Sequence, residues 1–127
     1  MLDINPEILC FIIDKAHQFH VKEAVTITET PTSPADDWAR QAMADHQDDL
    51  TYQELVTTIN DLDPNQQVQL VALMWLGRGD FDLSEWDVAK ETAGDAWSER
   101  TADYIIATPL VADYLSEGLN LLGYSCD

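Results

Sequence analysis

Apolar residues recur at three- and four-residue spacings along most of this chain. Each run opens behind a residue suited to starting a helix. Ile8, Leu9, Ile12, Ile13, Ala16 and Phe19 mark one buried face of a helix over residues 6–20. Trp38, Ala42 and Met43 point the same way for a helix over 34–45, with Asp36 and Asp37 in its first turn. Leu55, Val56, Ile59 and Leu62 repeat the pattern over 51–62, where Thr51 and Glu54 stand at capping-box spacing. Residues 64–76 differ, because Val68 and then 70–76 leave almost no polar face in the second half. A helix apolar all round is enclosed by other elements, so this one is expected to be the centre of the core. Gly77 reads as its left-handed cap.

Three further helices are expected: one from about 84 to 94–97, one over 99–107 and one over 109–123. The last carries Leu110, Val111, Tyr114, Leu115, Leu119 and Leu122. Four of the five prolines follow a capping residue, in Asn5-Pro6, Ser33-Pro34, Asp63-Pro64 and Thr108-Pro109. Proline is tolerated at the first helical position, where its missing N–H has no partner anyway. Residues 21–33, with four threonines, read as a flexible linker between the first and second helices. The expected architecture is all-α: one domain over 1–127, an irregular or orthogonal bundle of six to seven short helices around the helix at about 64–76.

Charge narrows the choice of partners. The chain has 24 acidic and 6 basic residues, a net −18. On the surface expected for its mass, that is one net negative charge per about 380 Å². Affinity for nucleic acid needs Lys and Arg, so nucleic-acid binding is excluded, and an anionic membrane surface is disfavoured for the same reason. Residues 1–63 hold 13 of the acids and 64–127 hold 11, which makes a diffuse coat and not a tail. It reads as a solvating surface, with salt adaptation or imitation of a nucleic-acid backbone as further readings. No basic stretch leads a long apolar run at the N-terminus, and the apolar run 70–76 is too short to span a bilayer. A cytoplasmic location is expected by elimination. Cys10 reads as a small core residue and Cys126 as part of a frayed terminus, with no disulfide framework indicated.

The stretches 72–81, 99–102 and 108–119 are the most distinctive. They read ALMWLGRGDF, ERTA and TPLVADYLSEGL. In these the chain resembles a bacterial family known only as domain of unknown function 3775, over nearly its whole length and least over 21–33. The resemblance implies a small, acidic, all-helical cytosolic protein. It brings no activity, cofactor or partner.

Candidate chemistry is sparse. Arg78 lies between two glycines and before Asp80, and can bond helix-end carbonyls or anchor an anion. The surface patch expected to matter is Gly77, Arg78, Gly79, Asp80 and Asp82 with Arg100 and Tyr104. Asp80, Asp82, Ser84 and Glu91 partly match a calcium loop, but Glu85 stands where that loop needs glycine. His17 and His20, with Glu23, have the spacing of a shared metal. Helix-end chemistry explains both sets more simply, and no metal or cofactor is expected. No nucleophile elbow, phosphate loop or catalytic residue is recognisable. The expected role is a non-enzymatic protein-interaction or accessory module with a basic protein partner, monomeric or weakly dimeric. The alternative is a small metal- or ligand-binding protein using the 77–82 turn, and an uncharacterised hydrolase is a third reading.

Overall fold

A computed structural model describes residues 4–23, 49–108 and 110–126. Six α-helices and no strand occur among them: α1 (Pro6–Glu23), α2 (Leu50–Asp61), α3 (Pro64–Arg78), α4 (Trp86–Ala96), α5 (Thr101–Ala107) and α6 (Val111–Leu121). A 3-10 turn, Leu83–Glu85, leads into α4. The helix expected at 34–45 lies outside the described residues, as does 24–33 of the linker. Residues 21–23 continue α1 instead of leaving it.

The all-α architecture expected from the periodicity is present, and α3 is its axis. Every residue from Gln69 to Leu76 is buried. Helix α3 packs most extensively on α6, then on α4, and also touches α5. Helix α1 bridges α6 and α2, and α2 in turn meets α5. The start of α3 is a full capping box: the Asp63 carboxylate accepts from Gln66 N–H at 2.8 Å, and Gln66 Oε1 accepts from Asp63 N–H at 3.0 Å. Gln67 is buried beside it. Its amide donates to the carbonyls of Ile59 and Leu62 at the end of α2, and its oxygen accepts from Trp97 Nε1 at 2.8 Å.

Several boundaries differ from the sequence expectation. Gly77 does not cap α3. Two residues later, Gly79 holds the left-handed conformation, φ 94°, and donates to the Trp75 and Leu76 carbonyls. Helix α2 is capped by Asp49 through Tyr52 N–H, so Thr51 lies inside the helix. Glu85 supplies the carboxylate that holds the Asp82 N–H, two residues earlier than the expected Ser84 start. Thr108 closes α5 with its hydroxyl bonded back to the Tyr104 carbonyl, and so is no cap for α6. Leu110 precedes α6 with φ 62° and is exposed, although the stripe placed it inward.

Gly77 has a packing role. A Cβ there would overlap the Tyr114 carbonyl oxygen and sit 2.9 Å from the Gly118 nitrogen. Reciprocally, a Cβ on Gly118 would overlap the Leu73 carbonyl oxygen. Two glycines facing each other allow α3 and α6 to approach backbone to backbone.

The cysteines correct a second expectation. Cys10 is half-buried, not core, and is disulfide-bonded to Cys126 across 116 residues, with Cα atoms 5.6 Å apart. Helix α1 packs against α6, which brings Cys10 and Cys126 together.

Two tests follow from this packing. Gly118→Ala is expected to cost about 1–3 kcal/mol by overpacking, read as a lower urea midpoint at unchanged slope. Reduction with a phosphine is expected to cost about 3–5 kcal/mol, because the closed loop is long; Cys10→Ser/Cys126→Ser should show the same loss with or without reductant.

Candidate functional site

The turn from Gly77 to Asp82 follows from how α3 ends. Once Gly79 reverses the chain, the Arg78 side chain folds back over the turn. Its Nε reaches Asp80 Oδ2 at 2.9 Å, and Nη2 binds the same oxygen. Burial pulls the guanidinium pKa down, but Asp80 and the Tyr104 hydroxyl more than offset this and hold it above its ordinary value. Arg78 is thus a closed pair with its near neighbour, with Nη1 buried beneath and lacking a hydrogen bond among the described residues. Tyr104 offers no surface, being fully buried, and its oxygen accepts from Trp75 Nε1 at 2.8 Å. Phe81 stacks on Trp75 at 6.0 Å between ring centroids. Arg100 is half-buried at the start of α5. Of the expected patch, Gly79, Asp80 and Asp82 are exposed; Gly77 and Tyr104 serve the interior, as Trp75 and Phe81 do around them.

The calcium-loop reading does not assemble, and of the His17, His20 and Glu23 set the Glu23 side chain lies outside the described residues. Asp80 is engaged by Arg78, Asp82 and Glu85 belong to the 3-10 turn, and Glu91 is exposed on α4. His20 Nε2 lies 2.8 Å from the Ile106 carbonyl, so that nitrogen carries the proton and donates. Among the described residues no three His, Cys, Asp or Glu side chains converge.

Exposed apolar side chains also line a cleft away from this turn. Trp86 opens α4 against the core, while Leu83, in the turn just before it, is 47% exposed. The last turn of α6 lies opposite, with Leu121 43% exposed and Leu122 half-buried. Between them is an open cleft of about 400 Å³, walled by Leu83, Trp86, Asp87, Lys90, Leu121 and Leu122. The Lys90 ammonium stands 5.7 Å from the Trp86 ring centroid and 3.5 Å from Asp87. The Trp86 indole N–H is buried and has no acceptor among the described residues.

The sequence marked Leu122 as part of an apolar row, but no motif pointed to Leu83 or Leu121. The available signal was an apolar residue off the buried stripe. In α6, Leu115 and Leu119 face inward at four-residue spacing, and Leu121 falls outside that row.

Among the described residues this is a helical protein of net charge −18 with an apolar-walled cleft between α4 and the end of α6. The chain belongs to the family described as Protein of unknown function (DUF3775), whose model matches residues 52–124. The match takes in the Arg78 turn and the whole cleft, and leaves out α1 and both cysteines. No curated protein and no solved structure matches the chain. No helix among the described residues is long and apolar enough to cross a membrane.

Tyr104→Phe tests the interior assignment of the expected patch. It leaves the buried Trp75 indole N–H without an acceptor and should cost about 1–3 kcal/mol in chemical denaturation. Asp80→Asn, at the exposed end of the same network, should cost under about 1 kcal/mol.

Proposed function

We propose that this protein is a non-enzymatic interaction module that holds a basic, amphipathic helical segment of a partner protein in the cleft between α4 and α6. The observation that carries this reading is Leu83 and Leu121, both substantially exposed across an open cleft that Trp86 walls. Apolar residues left outside at a concave site are what a docked side chain would cover.

Charge supports the sign of the partner. The chain is −18 overall. Glu91 stands one turn beyond Asp87 on α4 and Glu117 one turn before Leu121 on α6, and all three are exposed. The single lysine on the cleft wall is already matched by Asp87. Lys or Arg residues flanking an apolar stripe would meet these acids while the stripe enters the cleft, the helix-in-groove mode. A cytoplasmic setting belongs to the same proposal, with the Cys10–Cys126 bond then being made and broken by thiol exchange.

The test uses two synthetic helices sharing one leucine stripe, one flanked by lysines and one by glutamates. The lysine peptide should bind, move the Trp86 indole signal in a nitrogen–proton spectrum, and weaken as salt rises. Leu121→Asp should lower that affinity about tenfold or more with little change in melting temperature. Equal binding of the glutamate peptide, or shifts confined to another face, would defeat the reading.

A further inference from the structure

Helix α1, α6 and Cys126 meet at a second cleft of about 400 Å³, lined by none of the residues that wall the docking cleft. Cys10 and Cys126 form part of its wall, with Asp14 and His17 from α1 and Asp113 and Ser116 from α6. Cys126 also lines a smaller, polar cleft of about 190 Å³ beside Ser116, Asn120 and Ser125. The bond is therefore no buried structural staple. Cys126 is exposed and opens onto two clefts, whereas Cys10 is half-buried on α1.

We propose that the Cys10–Cys126 bond is a thiol–disulfide exchange site, and that its preferred reactant is a small thiol bearing a cationic amine. Accessibility chooses the sulfur under attack. The incoming thiolate bonds to the Cys126 Sγ, the Cys10–Cys126 bond breaks, and Cys10 leaves as a thiolate that takes a proton from water. A second molecule of the same thiol then displaces Cys126 from the mixed disulfide. It yields the symmetrical small-molecule disulfide and a free Cys126 thiol. Two small thiols are oxidised and one protein disulfide is reduced; the symmetrical disulfide drives the sequence in reverse.

Charge chooses the reactant. Asp14 and Asp113 are exposed on opposite walls of the cleft. The nearest lysine on α1, Lys15, is turned to Glu54 of α2 at 3.3 Å and does not line the cleft. An ammonium group carried beside the thiolate meets two carboxylates, and a sulfonate or carboxylate in its place is repelled by them. Opening the bond releases the last residues from α1 and leaves them held to α6 through the Tyr124 N–H bond to the Leu119 carbonyl, 2.9 Å.

The experiment exposes the oxidised, full-length protein at pH 8 and low salt to cysteamine, 2-mercaptoethanol and 2-mercaptoethanesulfonate. Each rate is divided by the same thiol's rate with neutral bis(2-hydroxyethyl) disulfide, which removes intrinsic nucleophilicity. Cysteamine should exceed mercaptoethanesulfonate by about fivefold or more, and the ratio should collapse toward one in 0.5 M salt (at a Debye length of roughly 4 Å). Asp14→Asn/Asp113→Asn, two exposed positions, should reduce the ratio without changing the melting temperature of the oxidised protein. Peptide mapping should find the adduct on Cys126. Equal normalised rates, an adduct mainly on Cys10, or a ratio indifferent to the two substitutions would each overturn the proposal.

Discussion

The close approach of α3 and α6 is the constraint on which the rest of the arrangement rests. Side chains normally keep helix axes 8–10 Å apart. Here Gly77 and Gly118 remove the side chains at the crossing, so that each meets backbone of the opposite helix. That contact closes one side of the central helix, and α4 closes another. It also fixes where α6 ends relative to the 3-10 turn and α4. The cleft between Leu83 and Leu121 is thus a consequence of how tightly two other surfaces pack.

The fold class was legible because a helix apolar on every side has few possible settings. Residues 70–76 could only be enclosed, and the flanking stripes supplied the enclosing faces. What the pattern could not distinguish was one glycine's use from another's. Gly77 and Gly79 are both candidates for a left-handed cap in the sequence. The choice is made by α6, which needs the space at Gly77 and leaves Gly79 to reverse the chain. Thr108 shows the same limit. A threonine before proline signals a helix start, yet its hydroxyl found the carbonyl one turn back and closed α5. Local grammar proposes a cap, and packing decides which element uses it.

The expected patch around Arg78 was partly legible for the wrong reason. A lone cation between glycines stands out in an acidic chain, and it does lie at a turn. Its nearest carboxylate is two residues away, however, and a guanidinium can fork onto it without help from any partner. Scarcity of positive charge makes such local capture the easy outcome. The same scarcity makes the open acids more telling than the closed arginine, because they have few cations to answer them within the molecule. Cys10 and Cys126 were illegible for a different reason. With 116 residues between them, nothing local marks them as neighbours. Only the alignment of α1 on α6 does so.

Helix α6 ties these features to one another. Its first turns carry Asp113 and Ser116 toward the cysteines, and its middle presents Gly118 to α3. Its last turn presents Leu121 and Leu122 to the docking cleft, and four residues further the chain reaches Cys126. Gly123, in the left-handed conformation at φ 91°, turns the backbone between these two uses. A short helix pinned at its centre by a backbone contact has little freedom to move its middle. Any change in how its end is held must therefore be absorbed in the final turn, which is where the exposed leucine lies.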